Sequence, residues 1–169
     1  MKIPKENIDF IYDFINEDLK FHPNCKNDCF FLPFSINRPF TVYDISKMTD
    51  SQIDLMYELI PNVIVSCLPA EHMVYAINWQ HNTILYDPRD ASKTQSEYPC
   101  IEQYNKDGIL YYEDFYLDGD YLFFIEKFGR FAYLSHPWRQ EIWVYGERFL
   151  SEIKKIHEQL GFEIKSEML

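Results

Sequence analysis

Residues 118–146, DGDYLFFIEKFGRFAYLSHPWRQEIWVYG, restrict the possible folds more than any other part of the chain. They contain three apolar, aromatic-rich runs, at 121–126, 131–135 and 141–145. Lys127-Phe128-Gly129-Arg130 separates the first two, and His136-Pro137-Trp138-Arg139-Gln140 the last two. Runs of about five or six β-branched and aromatic residues between Gly- or Pro-bearing turns predict strands joined by tight connections. The expected arrangement is an antiparallel meander at the centre of one sheet.

The flanking segments supply helices. Residues 5–20 carry Ile8, Ile11, Tyr12, Ile15 and Leu19 at helical spacing, with Pro4 suited to the first turn. Phe10 and Phe14 are expected to widen the buried face, and Glu6, Asp9, Asp13, Glu17 and Asp18 to fill the opposite one. Residues 49–60 form a second amphipathic helix, opened by a Thr49/Gln52 capping box and stopped by Pro61. A third runs from about residue 147 to 160, with Phe149, Ile153, Ile156 and Leu160 as its stripe and Gly161 as its cap.

Between these helices the β-branched run 62–68 predicts a strand. Residues 72–79 and 83–86 predict a hairpin tipped by Gln80-His81-Asn82. Residues 21–40 are rich in Pro and Asn and predict irregular chain, with 30–34 as a short edge strand. Residues 87–106 are polar and predict a long surface connection, followed by a turn at 105–108 and a short strand at 109–112. Strands are grouped rather than alternating with helices. The order predicts a single α+β domain spanning residues 1–169, in which one antiparallel sheet of about 5–7 strands is covered by helices on one face.

Charge limits the partners. There are 27 acidic and 16 basic residues, a net charge of −11. That field repels nucleic-acid phosphates and anionic lipid, and favours a basic protein partner. The chain has 13 Tyr, and each buried hydroxyl needs a partner, which predicts that some of the tyrosine lies on an interaction surface. No apolar run approaches the ~20 residues of a membrane span, and the N-terminal residues lack a signal-peptide core. A cytoplasmic location with reduced thiols is expected.

Three sets of residues carry chemistry of interest. His22, Cys25 and Cys29 lie at short spacing, yet no second ligand pair follows, and Cys67 and Cys100 stand alone. Free thiols, with no metal and no cofactor, are the expectation. His81, Asp87, Asp118, Asp120 and His136 fall near predicted strand ends, where convergence would give a His/Asp ligand or acid–base site. Asp before Pro or Gly is also an ordinary turn former, so these side chains have a structural explanation as well. Trp138 and Arg139 sit in a connection and belong to the residue types that anchor interfaces, whereas Trp79 and Trp143 lie in strand runs and are expected to pack inside. Phosphate-cradling loops, G-x-S-x-G and H-E-x-x-H are missing.

Trp79-Gln80-His81, Asp87-Pro88, Gly119-Asp120-Tyr121 and His136-Pro137-Trp138 together resemble a family of small bacterial proteins of unknown function. The likeness spans residues 75–150. Ser135 stands where that family's pattern implies Gly before His-Pro-Trp. The resemblance implies a compact cytoplasmic domain and brings no reaction with it. Two functions are expected of such a chain. The first is a non-enzymatic binding module, in its most specific form an immunity (antitoxin-like) protein that neutralises a basic toxin domain. The alternative is an enzyme or ligand-binding domain built on a His/Asp cluster at the sheet end.

Overall fold

A computed structural model describes residues 1–23, 32–98, 102–116 and 119–168. Helix α1 (Lys5–Asp13) continues into a π-helical turn (Phe14–Asp18), followed by strand β1 (Phe40–Asp44) and helix α2 (Asp50–Cys67). Then come β2 (Val74–Asn78), β3 (Asn82–Asp87), β4 (Asp90–Ser96), β5 (Tyr104–Lys106) and β6 (Ile109–Tyr111). The chain finishes with β7 (Leu122–Glu126), β8 (Ala132–His136), a 3-10 turn (Pro137–Arg139), β9 (Glu141–Tyr145), α3 (Glu147–Ile156) and β10 (Glu163–Met168).

The fold is α+β, as the grouped strands imply. Its main sheet has eight strands in the order β10-β1-β9-β8-β7-β2-β3-β4, with β5 and β6 as a separate hairpin. The expected meander β7-β8-β9 occupies the middle. The sheet exceeds the expected 5–7 strands because both flanks extend it. On one side β4 pairs with β3 inside what reads as a polar connection. On the other, β1 pairs with both β9 and the C-terminal β10. Among the described residues no helix is long and apolar enough to cross a membrane.

Helices cover both faces of the sheet, not one. Along each strand successive side chains point to opposite sides. Phe124, Tyr133, Ile142 and Val144 meet Met56, Ile60 and Ile64 of α2 and Phe149 and Ile153 of α3. Phe123, Ile125, Leu134 and Trp143 meet Ile11, Phe14, Ile15 and Leu19 of the N-terminal segment, together with Phe21, Phe34 and Ile36. A strand buried on both faces reads as a continuous apolar run rather than an alternation. LFFI, AYL and IWVY have that form.

Helix boundaries differ from the sequence reading at three places; the last helix ends at Ile156 rather than near residue 160. Pro61 lies inside α2, and residues 62–67, expected as a strand, are helical. Proline removes one backbone bond. The apolar stripe nevertheless continues through it at helical spacing, as Met56, Ile60, Val63, Ile64 and Cys67 are all buried, and burial at about 1.5–3 kcal/mol per large side chain outweighs the β-propensity of Val and Ile. In the first helix Leu19 N–H bonds the Phe14 carbonyl five residues back, and the widened turn keeps Phe14, Ile15 and Leu19 on the buried side. Phe14 is seated because Gly129, at φ +69°, leaves room for its ring: a Cβ there would lie 2.4 Å from Phe14 Cζ. Phe10 is exposed and does not widen the buried face.

Ser135 closes the centre of the meander. Its hydroxyl donates to the Leu122 carbonyl at 2.8 Å and accepts the Leu122 N–H at 2.8 Å, in a fully buried setting. Its backbone is ordinary strand, with φ outside the left-handed region, so no glycine is required at this position. Ser135→Ala leaves both backbone groups of Leu122 buried without partners. It is expected to lower the unfolding free energy by about 2–3 kcal/mol, measured by urea denaturation.

A polar cluster at one end of the sheet

Register brings the signature residues together selectively. Asn78 pairs with Leu122, and His136 with Glu141. The β2–β3 turn, the start of β7, the end of β8, the 3-10 turn and the start of β9 therefore share one end of the sheet. His81, Asp120, His136, Trp138 and Arg139 all lie there. Asp87 does not, because β3 runs away from that turn to the opposite end. Asp118, Cys25, Cys29 and Cys100 lie outside the described residues.

The five form two environments. His81 Nε2 stands 3.7 Å from Asp120 Oδ1, both side chains being largely exposed. Beneath them Asn78 Nδ2 donates to Glu113 Oε2 at 3.4 Å. Burial raises the Glu113 carboxyl above its ordinary range; the Asn78 bond opposes this, and Asp120 and Glu102 add to it. Glu113 has φ +115°, an uncommon conformation for a side chain with a Cβ. An imidazole–carboxylate pair thus sits beside a carboxyl group biased toward its protonated form.

His136 is elsewhere in character. It is completely buried, with its ring edge-on to Tyr121 at 5.0 Å. It does not open onto the His81–Asp120 pair as a shared cleft would need. Arg139 is mostly buried, and its Nε donates to Glu141 Oε2 at 2.9 Å. The same oxygen accepts from Trp143 Nε1 at 3.0 Å, and Lys165 reaches Glu141 Oε1 at 2.8 Å. Glu141 is 1% exposed. Burial alone would raise its carboxyl; the bonds from Arg139, Lys165 and Trp143, with the Arg139 charge, hold it below the ordinary range. Trp138 is half exposed on the surface of the 3-10 turn.

The opposite end holds a second set of buried charges. Asp87 Oδ1 accepts from Arg89 Nε at 2.7 Å and from Arg89 N at 3.0 Å. The Arg89 guanidinium also caps the carbonyls of Leu68, Pro69 and His72. Asp87 therefore ties the end of β3 to the connection after α2. Glu126, fully buried, bonds His72 Nδ1 at 2.7 Å and the N–H groups of Phe128 and Arg130.

Sequence reading missed Glu113, Glu126, Glu141, Arg89 and Lys165. Only one local signal existed: a charged residue, Glu126 or Glu141, at the edge of an otherwise apolar strand run. Lys165, 24 positions from Glu141, has none. Among the described residues no three His, Cys, Asp or Glu side chains are grouped as a metal site, and Cys67 is buried with its thiol pushed up by burial.

The depressed Glu141 carboxyl fixes a pH dependence. Its stabilisation is complete above the unfolded carboxylate value of about 4.3 and is lost as pH falls through the lower folded value. Glu141→Gln is expected to flatten the loss of stability below about pH 4.5, seen as a smaller drop in Tm between neutral and acidic buffer than in the parent protein.

A family described as a protein of unknown function (DUF2716) matches residues 2–150. No curated protein matches the chain, and no solved structure does.

Proposed function

The chain belongs to the DUF2716 family, of unknown function, and we propose that it is a non-enzymatic binding module for a basic protein. In its fullest form it is a cytoplasmic immunity protein that neutralises a cationic toxin domain of a bacterial system. The observation that carries this reading is the outer face of the N-terminal helix. Glu6, Asp9, Asp13, Glu17 and Asp18 are all exposed there, and none is ion-paired among the described residues. Phe10, 43% exposed, stands in their midst and stacks on Phe14 at 6.2 Å. Carboxylates at this density steer a cationic partner and mimic a row of phosphates, and an aromatic ring among them supplies an anchor. The buried carboxylates Asp87, Glu126 and Glu141 are each bonded inside the fold, so the excess negative charge is displayed on the surface.

The alternative role is a ligand-binding or catalytic one at the sheet end. It is supported by the His81–Asp120 pair beside Glu113, whose carboxyl burial raises above its ordinary range. His81→Ala and Glu113→Gln separate the two readings: unchanged capture of the basic partner at wild-type stability favours the helix face, and loss of a bound small molecule or of turnover favours the sheet end.

Affinity capture with the tagged protein, followed by titration of the purified partner, tests the main reading. The double variant Asp9→Lys/Asp13→Lys is expected to slow association by about tenfold or more at low salt, and added salt to erase most of that difference. Phe10→Ala is expected to speed dissociation. Equal rates for parent and charge-reversed protein would overturn the assignment.

A further inference from the structure

At the end of the sheet away from His81, a cavity of about 260 Å³ lies where three segments meet. Cys67 lines it from the end of α2, Arg130 and Phe131 from the approach to β8, and Glu147 and Arg148 from the start of α3. The corner is tight. Gly146, at φ +103°, turns β9 into α3 so close to its neighbour that a Cβ there would lie 2.4 Å from Phe131 Cβ. Phe131 and Phe149 stack, with centroids 4.7 Å apart and planes 23° from parallel. The Arg130 N–H is held by the buried Glu126 carboxylate at 3.2 Å. Both arginines thus stand on backbone that packing fixes, while their side chains are exposed.

The charges of this wall are left without partners. The chain has five arginines. Arg38 donates to the Gly129 carbonyl at 2.8 Å, Arg89 to Asp87 at 2.7 Å and Arg139 to Glu141 at 2.9 Å. Arg130 and Arg148 are the two whose side chains form no ion pair or hydrogen bond among the described residues, and both line this cavity. Arg130 rests over the ring of Phe128, 5.8 Å from its centroid, and Phe128 is 56% exposed. In a chain of 27 acidic and 16 basic residues, two unpaired guanidinium groups on one wall are the exception. Their mutual repulsion is relieved by an anion between them. Cys67 adds no charge, because burial raises its thiol. Glu147 is the one carboxylate among the lining residues, and the two arginines outweigh it.

We propose that this cavity binds a single phosphate group, free or as the monoester of a small organic molecule. A guanidinium presents a planar fork of donors that matches phosphate oxygens, and two forks can share one dianion. The space falls just below the ~300–1,000 Å³ of drug-sized ligand sites, so the guest is small. The exposed Phe128 ring beside Arg130 offers an apolar surface to an organic substituent. A polyanion brings its other phosphates against the carboxylates of the surrounding surface, and the net charge of −11 selects against it.

The test uses the full chain with its arginine side chains labelled for NMR. Inorganic phosphate and phenyl phosphate are titrated at constant ionic strength. Acetate, benzyl alcohol and a short oligothymidylate serve as the singly charged, uncharged and polyanionic counterparts. Saturable shifts of Arg130 and Arg148, and not of Arg38, are expected with both phosphates. Acetate is expected to bind about tenfold more weakly, and benzyl alcohol to leave the signals in place. Arg130→Ala and Arg148→Ala are each expected to weaken phosphate binding about tenfold. Arg148→Lys, which keeps the charge and loses the fork, is expected to fall between parent and alanine variant. Glu147→Gln is expected to tighten binding about threefold, a gain that damage to the fold would not produce. Tighter binding of phenyl phosphate assigns the site to an ester; equal or tighter binding of inorganic phosphate assigns it to the free ion. No saturable shift with either phosphate, unchanged affinity in the folded alanine variants, or tighter binding of the oligothymidylate than of either phosphate would overturn the proposal. None of these residues lies on the outer face of α1, so this result is separable from that of the helix-face reading.

Discussion

Two-sided burial of the central meander is the constraint on which the rest of the structure depends. β7, β8 and β9 have no face to give to water. One side must be met by α2 and α3, and the other by α1, its π-helical extension and the chain around Phe21 and Phe34. A sheet sandwiched this way gains apolar burial on both surfaces, and it must also satisfy every backbone group within. Ser135 shows how tightly that second demand operates. Its hydroxyl takes both polar groups of Leu122 where a strand pair would otherwise do so.

Among the described residues, charge enters this interior at the ends of the sheet, and there it is bonded on several sides. Glu141 binds Arg139, Trp143 and Lys165 at one end. Glu126 and Asp87 bind His72 and Arg89 at the other. Such groups are costly to bury and costlier to orphan. Their effect is to fix positions. Lys165 fastens edge strand β10 to β9's first residue across β1, and Arg89 holds the link from α2 to β2. The buried carboxylates Asp87, Glu126 and Glu141 are thus committed to architecture.

The surface is divided. The outer face of α1 displays carboxylates around Phe10, the sheet end displays His81 and Asp120 with Trp138 nearby, and the β5–β6 hairpin displays tyrosines around Asp114. Each region is negative or aromatic. A basic protein surface is the counterpart proposed for the first of these.

The meander, the hairpin around residue 80, the three helices and the acidic face of α1 were all legible in the sequence, because apolar period and turn residues are local properties. The sequence reading puts helices on one face of the sheet, although the continuous apolar form of LFFI, AYL and IWVY is the form of strands covered on both. What the sequence could not decide was which distant segments meet. Pro61 ends a helix by local rule, yet here it lies within one because the sheet beneath rewards Val63 and Ile64. His81 and His136 look equivalent as strand-end histidines. Pairing register exposes the first beside Asp120 and seals the second against Tyr121. Asp87 is sent to the far end by the direction of its strand. The partners of Glu141, and the meeting of Tyr57 with Tyr104 and Tyr111, exist only after the chain has folded, because they join residues far apart in sequence through packing that no short stretch encodes.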